Sequence, residues 1–225
     1  MSQAPDVNPL DTLRPWLFAT DASIYQLAPL AVMAPVDRQA ILQISAKAQQ
    51  AQQPVLARGA GTSLTGQSIG KAVVLDTARH LNRILELNLE EGWVSYGMTI
   101  DHLLGLDLAL ATGEELSLGH LNAAQLAAKQ KQTDMKGALY RGIQATVDNL
   151  ADTIRDRYPK VIRHSGGYAL DAFVDAESFN LAKLICGSEG TLGVILEATC
   201  KLTPLPRNSA LCLAHFSTLD AALRA

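Results

Sequence analysis

The sequence is poor in the residues that build metal and disulfide sites. Its 225 residues hold three cysteines, Cys186, Cys200 and Cys212. They are odd in number and too widely spaced for a CxxC knuckle, so reduced, mostly buried thiols are expected. The five histidines, His80, His102, His120, His164 and His215, include no HxxxH pair, and no metal ligands are expected. No apolar run approaches the roughly 20 residues of a membrane helix. The opening stretch MSQAPDVNPLDTLRP lacks a basic segment followed by an apolar one. No secretory signal is therefore expected, and the location expected is cytoplasmic, in solution or against the inner face of the membrane. Charge of one sign is also lacking: 19 basic residues face 22 acidic ones, for a net charge of −3. That excludes a global attraction to nucleic acid or to anionic lipid.

What is present is an ordinary globular composition, 48% hydrophobic and 18% charged, with length enough for a core. LAVMAP, PVLAR and AVVLD read as short strands, and 37–53 reads as a helix with Asp37 as its N-cap. Strand, helix, strand, glycine-rich loop, strand is the order of an α/β unit with a right-handed crossover. RILELNL and GWVS then read as a hairpin turning at EEG. LLGLDLALATGEEL reads as an edge strand or hairpin, and 121–158 as helical up to Pro159. Residues 177–185 read as a short helix, TLGVILEATCKLTPLP as a long strand, ALCLAHF as another, and STLDAALRA as the start of a helix.

Three glycine-bearing stretches carry whatever chemistry there is. The first is ARGAGTSLTGQS, 57–68. It has the GxxxxGK[ST] spacing of a phosphate-binding loop, but Gln67 stands where that motif needs lysine, which weakens an ATPase reading. The dinucleotide fingerprint GxGxxG fails as well, because Leu64 occupies its third glycine. The physics of an anion cradle remains: glycines let main-chain N–H groups approach an anion, and hydroxyls and Arg58 add donors and charge. A mobile surface turn has the same composition. The second stretch is CGSEGTLGVI, 186–195. Its glycines demand a tight path past something close, as a ligand wall or as a turn or bulge entering a strand. The third is YGMTIDHLLGLDLALATGE. There Asp101 and His102 are neighbours that an extended chain points apart, so capping is expected and not a catalytic pair.

Together and in this order, the three stretches resemble the FAD-binding domain of the PCMH type, in the vanillyl-alcohol oxidase superfamily. Within it they are most similar to FAD-linked dehydrogenases of D-2-hydroxy acids: glycolate, D-lactate and D-2-hydroxyglutarate. DASIYQLAPLAVMAP and RHSGGYALDAF resemble the long bacterial members with an iron–sulfur region. The resemblance implies an α+β, two-subdomain PCMH-type FAD-binding fold over 19–208, with subdomains at about 19–88 and 89–208 and FAD between them. It implies that Arg58, Gly59, Ala60, Gly61, Thr62, Ser63 and Gly66 hold the diphosphate. Glu189, Gly190, Gly193 and Val194 form a second wall by the same likeness. FAD is the implied cofactor, hydride transfer from a small 2-hydroxy acid the implied activity, and an iron–sulfur subunit or domain and self-association the implied partnerships.

The sequence also departs from that pattern. Ser95 runs directly into Tyr96 where family members carry a further block of several tens of residues that touches the flavin. Residues 209–225 match the start of a substrate or cap domain, so an incomplete fold is expected. No catalytic residue is assigned. The expectations left standing are an FAD-linked dehydrogenase domain, a catalytically inactive or partner-dependent relative of one, and an ATPase.

Overall fold

The computed structural model describes residues 15–87, 98–161, 164, 166–176, 178–202, 211 and 213–224. The fold is α+β. The first unit runs β1 (Ala31–Met33), α1 (Arg38–Gln50), β2 (Val55–Arg58) and β3 (Val73–Asp76). β3 lies between the other two strands and is parallel to both. Parallel neighbours need a crossover, and α1 supplies the one from β1 to β2. Asp37 starts the helix in extended conformation, its carboxylate accepting from the N–H of Ala40 at 2.8 Å. That bond satisfies one of the donors a helix N-terminus leaves open.

After a helical turn, α2 (Thr99–His102), come β4 (Leu103–Ala109), β5 (Glu115–Leu121), α3 (Ala123–Gln130) and the long α4 (Met135–Arg157). A 3-10 turn at Leu170–Phe173, β6 (Phe179–Asn180), α5 (Ala182–Ile185), β7 (Val194–Cys200) and α6 (Leu219–Arg224) follow. The second sheet is antiparallel, in the order β6-β5-β4-β7. Asn122 and Asp134 cap α3 and α4 by accepting from Gln125 and Gly137 at 2.9 Å each. Among the described residues no helix is long and apolar enough to cross a membrane.

Two cores follow from the alternation of side chains along the strands. Leu106 and Leu108 of β4 and Leu116 and Leu118 of β5 pack with Tyr140 and Val147 of α4 and with Phe173 and Phe179. The second core joins the two sheets. Ile41 and Ala48 of α1 meet Val73 and Leu75 on one side and Ala109 and Val194 on the other. α1 is thus a layer shared by both sheets. At its first residue, Arg38 reaches across to the second sheet. Its guanidinium lies 2.7 Å from Asp107, 2.6 Å from Glu115 and 2.9 Å from Glu197.

The structure corrects several sequence expectations. Residues 81–87 carry no strand, and the remainder of the expected hairpin lies outside the described residues. β4 and β5 do form a hairpin, but β7 and β6 flank it, so neither is an edge strand. Leu121 ends β5 and does not begin a helix; the helical region starts after Asn122 and breaks between Gln130 and Met135. In 177–185, Phe179 and Asn180 pair with Leu121 and His120 before a single helical turn. Residues 211 and 213–216 carry no strand. Asp101 and His102 sit in a helical turn and not in an extended chain, with Asp101 accepting from the N–H of Met98 at 2.7 Å. The expected capping role stands on different geometry.

Two stability measurements test this packing. Arg38→Met leaves three carboxylates facing one another, and urea denaturation should show a loss of about 1–2 kcal/mol. Asp107→Asn alone should cost less. Ser45 is buried in α1 and its hydroxyl has no partner among the described residues. Ser45→Ala removes an unsatisfied group and should raise stability by about 1 kcal/mol in the same assay.

Candidate functional site

β2 ends at Arg58 and delivers the chain into the first glycine-bearing loop. Gly61 and Gly66 take left-handed φ values of 69° and 88°, a conformation that costs a residue with a Cβ. A Cβ on Gly61 would lie 2.5 Å from Arg58 Nη2, and one on Gly66 3.0 Å from Tyr25 Cδ2. Gly59 differs: nothing lies within 4 Å of where its Cβ would stand. Gly61 and Gly66 shape the loop, and Gly59 opens it to whatever approaches.

Side chains hold this shape from behind. Arg58 Nη1 donates to the carbonyls of Phe18 (3.3 Å) and Ser68 (3.2 Å), and its guanidinium carbon lies 5.1 Å from the Phe18 ring centre. Sequence reasoning read Arg58 as a cation offered to an anion; the structure makes it the clamp at the base of the loop, its charge on the Cβ side of Gly61. Ser63 Oγ accepts from the N–H groups of Thr65 (3.3 Å) and Gln67 (3.1 Å), and its hydroxyl bonds the Gln67 side chain. Ser68 Oγ donates to Asp21 at 2.8 Å, whose other oxygen accepts from the N–H of Ser23 at 2.9 Å. The N–H of Ala22 bonds the carbonyl of Gly61 at 3.1 Å. Phe18, Asp21, Ser23 and Tyr25 were not singled out from sequence. Asp21 and Ser68 lie 47 positions apart, and no short motif signals such a pair.

The front of the loop is the complement of this. Among the described residues, the N–H groups of Gly59, Ala60, Gly61, Thr62 and Ser63 find no acceptor in the protein. Gly59, Ala60 and Thr62 are exposed. A run of unengaged main-chain donors with glycine at its mouth fits an anion that needs several short hydrogen bonds at once, as a diphosphate does.

The second stretch is a tight turn entering β7. Gly187 and Gly190 have φ of 81° and 76°, and Glu189, which is not glycine, has 53°. Ser188 is buried; its carbonyl accepts from the Thr191 hydroxyl at 2.6 Å, and Thr191 Oγ1 lies 2.9 Å from the Tyr168 hydroxyl. Gly193 lies where a Cβ would come within 2.7 Å of the Ala109 carbonyl. The close neighbour that the glycines required is therefore β4. The Val194 side chain is in the core between the sheets, whereas Glu189 and Gly190 are exposed.

Two cavities lie near these stretches, and neither takes in Arg58–Gly66. A cleft of about 910 Å³ runs between residues 77–87 and β7. A smaller one of about 440 Å³ is lined by Tyr158, His164, Asp171, Lys183, Cys186 and Gly187 among others, with His164 Nε2 3.3 Å from Asp171 Oδ2. Burial there pushes the Cys186 thiol up, with Cys200 and Asp101 adding to the effect. The front of the anion cradle, at Gly59, Ala60 and Thr62, is exposed to solvent.

Two predictions follow from the clamp. Gly61→Ala forces a Cβ into the Arg58 guanidinium at positive φ and should cost about 1–3 kcal/mol by thermal or urea melts, while Gly59→Ala should melt as the parent does. Hydrogen bonds from Ser23, and then from Ser68, lower the Asp21 carboxyl from the usual 3.8 to about 2. A depressed carboxylate contributes stability above its unfolded value and loses it as pH falls through the folded one. The Asp21 contribution is therefore complete above about pH 4 and fades towards pH 2. NMR titration should place the Asp21 midpoint near 2, and Ser68→Ala should move it upward.

The chain is similar to several known proteins. Residues 29–95 match the family model described as FAD binding domain, a span that contains β1, α1, β2, the loop and β3. The D-2-hydroxyglutarate dehydrogenase of Pantoea ananatis is 30% identical, over 92% of this chain and 25% of its own. That of Escherichia coli is 29% identical over the same shares. The glycolate oxidase subunit GlcD of Bacillus subtilis is 29% identical over 88% of this chain and 42% of its own. The chain spans about a quarter of the length of the D-2-hydroxyglutarate dehydrogenases it matches. Among solved structures, the isoeugenol complex of 4-ethylphenol oxidase from Gulosibacter chungangensis overlaps 48% of this chain and 31% of its own, at 16% identity and a TM-score of 0.40. The Pantoea alignment runs over 260 positions, to which 92% of 225 residues, about 207, contribute; several tens of that relative's residues have no counterpart here. Residues 29–95 are thus an FAD binding domain, in a chain homologous to D-2-hydroxyglutarate dehydrogenases and glycolate oxidase subunits.

Proposed function

We propose that the loop Arg58–Gly66 holds the diphosphate of FAD and that the chain serves FAD-linked oxidation of a small D-2-hydroxy acid. The observation that carries the first part is the run of unengaged N–H groups over 59–63, behind which Arg58, Ser63 and Asp21 fix the backbone. Diphosphate oxygens accept from Gly59, Ala60, Gly61, Thr62 and Ser63, and the Arg58 charge adds attraction from behind Gly61. The Thr62 hydroxyl is a further donor. Glu189 and Gly190 face solvent at the head of β7 and supply the second wall by main chain and carboxylate. Gly193 and Val194 set the height of that wall by packing on β4. FAD supplies the redox chemistry once bound; the chain supplies position and electrostatics. The substrate class rests on the relatives named D-2-hydroxyglutarate dehydrogenase and glycolate oxidase subunit, names that specify 2-hydroxy acids.

A second reading has one observation in its favour: the several tens of residues present in the Pantoea relative and lacking here. In that reading the chain binds FAD and needs a partner chain for turnover. We place the missing block between Ser95 and Tyr96.

The test is cofactor uptake. Purified protein, or protein incubated with FAD and then freed of unbound cofactor by gel filtration, should retain the absorbance near roughly 450 nm of an oxidised flavin. Gly59→Val should fold normally yet bind FAD at least about tenfold more weakly, a change of about 1.4 kcal/mol, by calorimetry. Colourless protein that gives no heat with FAD overturns the reading, and binding of Mg–ATP in preference to FAD would revive the ATPase. Reduction of bound flavin by a D-2-hydroxy acid separates the two readings of turnover.

A further inference from the structure

We propose that the cavity of about 440 Å³ between α2, residues 166–172 and α5 binds a free apolar α-amino acid as its zwitterion. The inference is independent of FAD binding, since the cavity takes in no residue of the glycine loop. Its acidic groups are Asp101 and Asp171. Asp171 Oδ1 is buried with no hydrogen-bond partner. The side chain is nevertheless 31% exposed, so the oxygen within reach of a ligand is Oδ2, 3.3 Å from His164 Nε2. A buried oxygen left unsatisfied costs stability. A carboxylate kept at that cost, with its other oxygen at a cavity wall, is placed to receive a donor. Asp101 already accepts from the N–H of Met98 through Oδ2, and its second oxygen adds negative charge to the same space.

Lys183 lines the same cavity, half-buried. Among the described residues no ion pair includes it. Gly166 and Gly167 form another part of the wall. Nothing lies within 4 Å of where either Cβ would stand, and their N–H groups find no acceptor among the described residues. Met98, Ile100 and Ala172 supply apolar lining. Burial pushes the Cys186 thiol up, so it offers polarizable surface and no nucleophile. With His164 neutral, two carboxylates face one lysine among the described lining residues. A simple carboxylate meets that excess of negative charge, and a simple amine leaves Lys183 without an anion. A zwitterion satisfies both: its ammonium goes to Asp171 Oδ2, its carboxylate to Lys183 and the glycine amides. Its apolar side chain packs on Met98 and Ile100, in a volume typical of small-molecule sites.

The probe is L-leucine, with two analogues that each lack one charge: 2-hydroxy-4-methylpentanoate has no ammonium, and 3-methylbutylamine has no carboxylate. Calorimetry on the full chain should give L-leucine a Kd of about 1 mM or tighter, and each analogue a Kd at least about tenfold weaker. NMR should show L-leucine moving the signals of the His164 ring and of the Gly166 and Gly167 amides, with those of Gly59–Ser63 unmoved. Lys183→Gln and Asp171→Asn should each weaken L-leucine at least about tenfold, with an unchanged far-ultraviolet spectrum. If Asp171→Asn fails to fold, the analogue series on the parent chain decides. Absence of heat with L-leucine overturns the proposal, and so do shifts confined to residues away from the cavity. Equal binding of the hydroxy acid overturns it as well, since the cavity is then a carboxylate site with no use for an ammonium.

Discussion

Arg38 is a cation at the first turn of a helix, where the macrodipole disfavours positive charge. It is tolerated because Asp107, Glu115 and Glu197 surround it, one from each of three strands of the opposite sheet. The same three carboxylates, close together on one sheet face, would repel one another without it. Each half of the molecule therefore carries an electrostatic defect that the other half corrects. The apolar contact beneath follows the same line, because Ile41 is fully buried only when β3 and the β4–β7 pair lie on its two sides. Ion cluster and core together fix how the unit bearing the cradle meets the unit bearing the second wall.

The cradle works by a division of labour within one short loop. Groups that could satisfy its amides are spent elsewhere: Ser63 on Thr65 and Gln67, Ser68 on Asp21, Arg58 on two carbonyls. What remains over 59–63 is a row of donors with no acceptor among the described residues. Because the backbone is already held, an arriving anion does not bear the cost of ordering it. Gln67 shows how small the distance between motifs is. Lysine there would reach for outer phosphates; glutamine turns inward and braces the loop. That suits a diphosphate read by main chain and not by a side-chain charge.

Much of this was legible in the sequence, for physical reasons specific to each element. Periodicity and the Asp37 cap mark α1 because both are local. Apolar triplets before turn residues mark β1, β2 and β3 for the same reason. The glycines of the first stretch announce left-handed backbone, and two of the three adopt it. The clamp residues were not legible, since Phe18 and Asp21 act across long sequence separations through contacts that only the fold creates. The bracing role of Arg58 was not legible because composition shows a charge but not the direction in which it points. Residues 179–180 pass for helix locally and become strand because His120 and Leu121 offer them a ladder, a case of tertiary context overriding propensity. LLGLDLALATGEEL was read as an edge strand or a hairpin, and the hairpin is what forms; the choice was open because alternation reports one buried face and says nothing about how many neighbours a strand has.

The clamp also bears on how the two walls cooperate. All the bonds that shape the cradle run between residues 18–25, 58–68 and Thr77, inside the first unit. Among the described residues none of them comes from β4–β7, so the cradle's geometry does not wait for the second sheet. The reverse is not true of the second wall. Gly193 is seated on Ala109 and Leu108, and Val194 is buried against α1, so the height of that wall is set by the contact between units. In the function proposed above, diphosphate binding and ring positioning are therefore separable. On that proposal, loosening the Arg38 contact should leave the first intact and degrade the second, which would make α1, and not the glycine loop, the element that sets the second wall.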